Sequence, residues 1–243
     1  MAWWEGTFDI AEHAVPVESA GWDGAACLGY VIPSRQSLIP RQNYERDLLM
    51  MPTHQLRCLE TTSYMRPISV RPIPASELKY VITDLVDVFR ETVNGGSPLG
   101  FMPPITRSQA REYWISIMPE LQAGSRILLA AFTDDCVIGS GQLELSQRPN
   151  SPHRATIQRL FVTRAVRGQG VGTALVDALE DVARENRRSL ITLNTRHGEE
   201  PEYFYKALGY KVVGLIPGWT IGPEGERYDH VEMYKEIDLR LGV

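Results

Sequence analysis

From Ile68 onward, apolar and polar positions fall into regular periods. Ile68–Ile73 alternates with period two, as a strand with one buried face does. Ser76 stands where a helix cap would, ahead of Leu78, Val81, Ile82, Leu85, Phe89 and Val93, which follow a helical stripe. Asn94-Gly95-Gly96 stops that helix, because glycine enters the left-handed region without steric cost. Thr106-x-x-Gln109 has the capping-box spacing and predicts a second helix with Ala110, Tyr113, Trp114 and Ile117 on its apolar face. Ile127–Phe132, Val137–Leu145 and Arg154–Thr163 read as strands, the first two joined by a turn at Thr133-Asp134-Asp135.

The strongest helical period lies in Val171, Ala174, Leu175, Ala178, Leu179, Val182 and Ala183, with Glu180 and Arg184 expected to pair at i, i+4 on the wet face. A strand at Leu190–Asn194, a helix at Glu200–Leu208 and strands at Lys211–Ile216 and Tyr228–Ile237 complete the pattern. Strands alternating with helices behind an opening hairpin predict an α/β (α+β) domain with a mixed sheet, over residues 68–243. Residues 1–67 carry no sustained period: prolines fall at 16, 33, 40, 52 and 67, and only Arg41–Met51 could form a short helix. That stretch reads as an irregular or partly disordered N-terminal extension.

Bulk composition narrows the partners. The chain of 243 residues carries a net charge of −5, which argues against a nucleic-acid footprint, since that needs a basic face. No apolar run approaches the roughly 20 residues that span a bilayer. Cys27, Cys58 and Cys136 are sparse and form no C-x-x-C, so free thiols are expected rather than a disulfide framework or a metal site. The acidic start, with Glu5, Asp9 and Glu12, lacks the features of a signal or transit peptide, and a cytoplasmic location is expected.

The chemistry concentrates at Arg167-Gly168-Gln169-Gly170-Val171-Gly172, between a strand and the strongest helix. A glycine turn there aims several backbone N–H groups at one spot, with the positive end of the helix behind them, which suits a pyrophosphate. A P-loop would need Gly-Lys-Ser/Thr, but Gly172 is followed by Thr173-Ala174; a dinucleotide turn would follow the first strand and need an acid about 20 residues on. Neither fits. Arg167-x-x-Gly170-x-Gly172 resembles the Gln/Arg-x-x-Gly-x-Gly/Ala motif of the GCN5-related N-acetyltransferases (GNAT). Tyr203-Phe204-Tyr205-Lys206-Ala207-Leu208-Gly209-Tyr210 is similar to that family's late helix, and Leu160-Phe161-Val162 to its fourth strand. Over about Ile68 to Ile237 the chain also resembles the tabtoxin-resistance acetyltransferase subgroup. The resemblance is carried by Glu91-Thr92-Val93, Gly95-Gly96, Gly100-Phe101-Met102, Gln142-Leu143, Gln147, Pro149-Asn150, Arg154-Ala155 and Gln158. It continues in Phe204-Tyr205, Ala207-Leu208, Val213-Gly214 and Pro217-Gly218.

The resemblance implies a mixed central sheet of about six to seven strands flanked by helices, and acetyl-CoA as co-substrate for acetylation of a small-molecule amine, such as an amino-acid-like toxin or antibiotic. Leu160, Phe161 and Val162 would bind the pantetheine arm, with Arg167, Gly168, Gln169, Gly170, Val171, Gly172 and Thr173 around the pyrophosphate and Asn194 and Tyr205 also against the cofactor. Tyr205 would protonate the leaving thiolate while Phe204 packs in the core. Glu91, Gly96, Phe101 and Gln158 would face the acceptor in a site walled by Gly95–Pro104. The base is left open: relatives carry carboxylates where this chain has Thr156 and Asn194, with Glu144 and Glu91 as fallbacks, and Asn194 can orient but not deprotonate an amine. His197 stands near a cofactor-contacting position. Acetylation of a protein amine and a non-catalytic acyl-CoA-binding module stay open beside this reading, as do monomer and homodimer.

Overall fold

The computed structural model describes residues 67–97 and 99–239. The extension expected over 1–67, with its helix at 41–51, lies outside the described residues except for Pro67. The elements run β1 (Ile68–Pro72), α1 (Leu78–Asn94), α2 (Arg107–Ser116), α3 (Met118–Ala123), β2 (Arg126–Thr133), β3 (Cys136–Leu145) and β4 (Arg154–Val162). They continue with α4 (Val171–Glu185), β5 (Leu190–Arg196), α5 (Glu200–Ala207), β6 (Lys211–Ile221) and β7 (Arg227–Glu236).

Seven strands form one sheet in the order β1-β2-β3-β4-β5-β7-β6. The β4–β5 pair is parallel and its neighbours are antiparallel, so the sheet is mixed, as the alternation of elements predicts. One face packs against α4, whose Val171, Leu175 and Leu179 join Ile157, Ile191, Leu193, Val231 and Met233. The other face carries α1 and α2, where Phe89 sits among Phe101, Tyr113, Trp114 and Phe161 at centroid distances of 5.2–5.6 Å. Phe89 and Trp114 are fully buried, and truncating such a side chain costs about 3–5 kcal/mol.

Several local expectations change in the folded chain. Ser76 does not cap α1: Glu77 precedes it in helical conformation without a side-chain cap. Gly96 takes the left-handed conformation at φ +101, whereas Gly95 stays at φ −83. The Thr106/Gln109 capping box is present in full. The Glu180–Arg184 pair forms at 3.3 Å, but Glu180 is only 4% exposed and not on a wet face. Lys235 of β7 reaches it at 2.7 Å, a partner that helical spacing alone cannot reveal. Cys136 is disulfide-bonded, against the expectation of free thiols; its partner lies outside the described residues. Among the described residues no helix is long and apolar enough to cross a membrane.

Candidate active site

The glycine turn is built as an anion cradle. After the three-residue 3-10 helix Arg164–Val166, Gly168 and Gly170 adopt φ +73 and +84, conformations that L side chains resist. Gly170 is the N-cap of α4 and offers no side chain to the first turn, so the N–H groups of Val171, Gly172 and Thr173 stay free for a ligand oxygen. Gly172 lets α5 approach, since a Cβ there would stand 3.3 Å from Phe204 Cζ. Arg167 turns back and donates from Nε to the Val162 carbonyl at 3.1 Å, tying the turn to the end of β4. Gln169 is exposed at the rim of the turn.

Beside the cradle the sheet forks. Pairing between β4 and β5 covers Arg154↔Leu190, Ala155↔Ile191 and Thr156↔Thr192 and stops there. The Thr156 and Thr192 hydroxyls bond at 3.0 Å across that last rung. Beyond it β4 carries one extra residue against β3, with Ser140 opposite Phe161 and Gln142 opposite Gln158. Arg159 sits in this bulge at φ +48. The bulge reverses the parity of the strand: Ala155 and Ile157 pack toward α4, whereas Phe161 packs against Phe89 and Trp114 on the other face. The edge of β4 toward β5 is thereby left without a strand partner from Ile157 to Val162, which opens backbone donors and acceptors to an extended ligand.

A cleft of about 120 Å³ lies on the α1 and α2 face, lined by Gly96, Phe101, Met102, Arg196, Ile221 and Tyr228, among others. Of the segment expected to wall the acceptor site, Gly96, Phe101, Met102 and Pro103 line this cleft. Arg196, at the end of β5, lies 3.7 Å from the Tyr228 ring centroid and donates to Glu199 at 3.3 Å, while its buried Nε has no partner. His230, opposite Arg196, also has a buried nitrogen without a partner, Nδ1. Burial first and the Arg196 charge second hold the His230 pKa below its ordinary value, so the ring is neutral at pH 7.

The other expected residues divide. Glu91 accepts from Thr163 Oγ1 at 2.6 Å and from the Arg164 backbone at 3.0 Å, so its carboxylate anchors α1 to the start of the cradle loop rather than facing the cleft. Gln158 donates to Glu144 and accepts from Arg159 at 3.1 Å, inside a polar network with Arg126, Gln142 and Tyr113. Glu144 is thus engaged by Gln158 and Arg126. Tyr205 and Phe204 exchange their expected roles in packing. Tyr205 is 6% exposed within the α4-side core, whereas Phe204 is half-buried against Gly172. Burial raises the Tyr205 phenol well above its ordinary value, keeping it protonated. His197 is half-exposed and meets Glu202 at 3.0 Å, so it braces the start of α5. Sequence reading alone misses Arg196, Arg159 and His230. The alternation of Thr192, Asn194 and Arg196 with Ile191 and Leu193 carries the signal for one strand, and that of Tyr228, His230, Glu232 and Tyr234 with Val231 and Met233 for the other.

Comparison with known proteins bears on the family and the fold. The sequence model of the acetyltransferase (GNAT) family matches residues 98–210. An uncharacterized N-acetyltransferase from the hisH-hisA intergenic region of Azospirillum brasilense is 31% identical over 146 residues, covering 56% of this chain and 84% of the relative. Among solved structures, ribosomal-protein-alanine N-acetyltransferase from Brucella melitensis superposes with a TM-score of 0.57 at 17% identity, over 69% of this chain and 99% of that one. A Salmonella typhimurium protein solved with its cofactor acetyl-CoA gives 0.56 at 14% identity, over 72% and 96%. At these identities the solved structures speak for the fold.

Proposed function

Because the chain belongs to the acetyltransferase (GNAT) family, we propose that it transfers the acetyl group of acetyl-CoA to the amine of a small molecule by direct attack on the thioester. The observation that carries this reading is the fork between β4 and β5, which opens beside the glycine cradle and on the side of the cleft. The free N–H groups of Val171, Gly172 and Thr173 would hold the pyrophosphate, and the open edge of β4 at Leu160, Phe161 and Val162 would pair strand-fashion with the pantetheine arm. A strand N–H at Phe161 or Val162 would face the thioester oxygen and stabilise the tetrahedral oxyanion. Asn194, two residues past the last β4–β5 rung, orients the attacking amine. Tyr205 returns a proton to the departing thiolate, and burial keeps its phenol protonated for that step. The cleft, small and mostly apolar, suits a compact acceptor rather than a protein tail.

Thiol release from acetyl-CoA tests this, measured over L-amino acids, polyamines, aminoglycosides and peptides with free α-amines or lysines. Fastest release with a small amine is expected; a preference for the peptides would replace the small-molecule reading by protein acetylation. Gly170→Asp places a carboxylate among the cradle donors at a φ of +84, and calorimetry should show its acetyl-CoA affinity at least 10-fold weaker. Unchanged affinity with cooperative melting removes the cradle from the account.

A further inference from the structure

The transfer as proposed has no proton acceptor, because Thr156 and Asn194 stand where relatives carry carboxylates. The register of the sheet brings one to the same place. Asn194 of β5 pairs directly with Glu232 of β7. Directly opposed residues of an antiparallel pair leave the same face with Cβ atoms about 5 Å apart. Their neighbours settle which face: Leu193, Val231 and Met233 are buried in the α4-side core. Asn194 and Glu232 therefore stand on the opposite face, with Arg196, which lines the cleft. Glu232 is half-buried, and its carboxylate has no hydrogen bond or ion pair among the described residues. The other candidate carboxylates are engaged: Glu91 by Thr163 and Arg164, Glu144 by Arg126 and Gln158, Glu199 by Arg196.

We infer that Glu232 is the general base of this site, taking a proton from the acceptor ammonium directly or through one water held by the Asn194 amide. The inference rests on the acetyl-transfer reading above. The step balances: Glu232 removes one proton from R–NH3+, and the nitrogen lone pair forms the N–C bond to the thioester carbon. The tetrahedral intermediate then expels the thiolate as the C–S bond breaks, and Tyr205 supplies the proton that makes the thiol. The second nitrogen proton restores Tyr205 through solvent, and Glu232 releases its own, so one proton in all reaches bulk water. The charged and titratable groups on this face are Arg196 from β5, Tyr228, His230 and Tyr234 along β7, and Lys211, whose Nζ lies 6.0 Å from the Tyr234 ring centroid, from β6. Of the residues 96–103 that line the cleft, none titrates. Arg196 stands diagonal to Glu232 across the β5–β7 pair, so a cation shares this face with the carboxylate.

The test compares wild type with Glu232→Gln, using the fastest amine among L-amino acids, spermidine and kanamycin. At pH 7 kcat/KM for the amine should fall about 10²–10⁴-fold, the worth of a positioned base. The deficit should shrink as pH rises toward the amine's own pKa, because a neutral amine needs no base. Acetyl-CoA affinity and melting temperature should not move, and Glu232→Asp should recover part of the rate with the wild-type pH profile. A Glu232→Gln enzyme with the wild-type rate and profile overturns the assignment, and so does a loss that is equal at every pH. Either result leaves acetyl transfer standing. A wild-type protein that releases no thiol with any amine or peptide sinks the transfer reading itself, and the role of Glu232 falls with it.

Discussion

Phe204 lies across Gly172, so close that a Cβ on residue 172 would stand 3.3 Å from the ring. The contact joins the first turn of α4, which carries the cradle, to α5, which carries Tyr205. It makes the glycine a packing residue as much as a backbone donor. Gly172→Ala gains helix propensity of about 1 kcal/mol, and the half-buried ring can yield the few tenths of an ångström required. That variant should melt within a few degrees of wild type. Gly172→Val must displace the ring and should lose about 1–3 kcal/mol, as overpacked sites do. Its acetyl-CoA affinity should drop at least 10-fold as the first turn tilts, and Phe204→Ala in the same chain should restore much of the melting temperature. Scanning calorimetry and titration read both; a Gly172→Val protein that binds like wild type would show that the ring does not set the cradle.

Glu202 governs acid stability at the start of α5. Its carboxylate, 3% exposed, accepts from Lys206 at 2.6 Å, from the Gly198 N–H at 2.7 Å, and meets His197 at 3.0 Å. The Lys206 bond first, and the Gly198 N–H next, lower its pKa from 4.5 to about 2. A depressed folded-state pKa contributes stability that is whole above the unfolded value and is lost as pH falls through the folded one. The window here runs from 4.5 down to about 2. Glu202→Gln should therefore melt well below wild type at pH 7, and the two curves should converge as pH drops through that window. Parallel melting curves across it would mean that the ionised carboxylate adds nothing.

Most elements are legible in the sequence because each buries one face and repeats at its own period, as in Leu78–Val93 and Val171–Ala183. The glycine turn is legible too, since Gly168 and Gly170 stand at positions that need positive φ. The rest depends on which strands meet. Nothing local marks Glu180 as buried until Lys235 arrives from β7. Arg159, as a non-glycine residue at φ +48, gives no sign of a bulge in its own identity. Asn194 and Glu232 become neighbours only through the β5–β7 pairing, which a linear reading for carboxylates at family positions passes over. Tyr205 and Phe204 differ by one helical step, and periodicity over the 8 residues of α5 cannot say which step faces the core.

The proton returned to the thiolate is the step that one atom can test. Tyr205 is packed edge-on against Phe204 at 5.2 Å and Tyr210 at 5.5 Å, contacts made by the ring and not by the hydroxyl. Tyr205→Phe keeps those contacts, so melting should stay within a few degrees of wild type. If the phenol supplies the proton, kcat should fall about 10²–10⁴-fold. The KM for acetyl-CoA should move little, because the lost interaction exists only in the transition state. Burial holds the phenol above its ordinary value, so no fall in rate from Tyr205 ionisation should appear up to pH 10 in the wild-type enzyme. Tyr210→Phe, a neighbouring change of the same kind, should leave turnover unaltered and so separates proton donation from the loss of any buried hydroxyl. Thiol release by Tyr205→Phe at the wild-type rate would remove Tyr205 from the chemistry and leave it a core residue of α5.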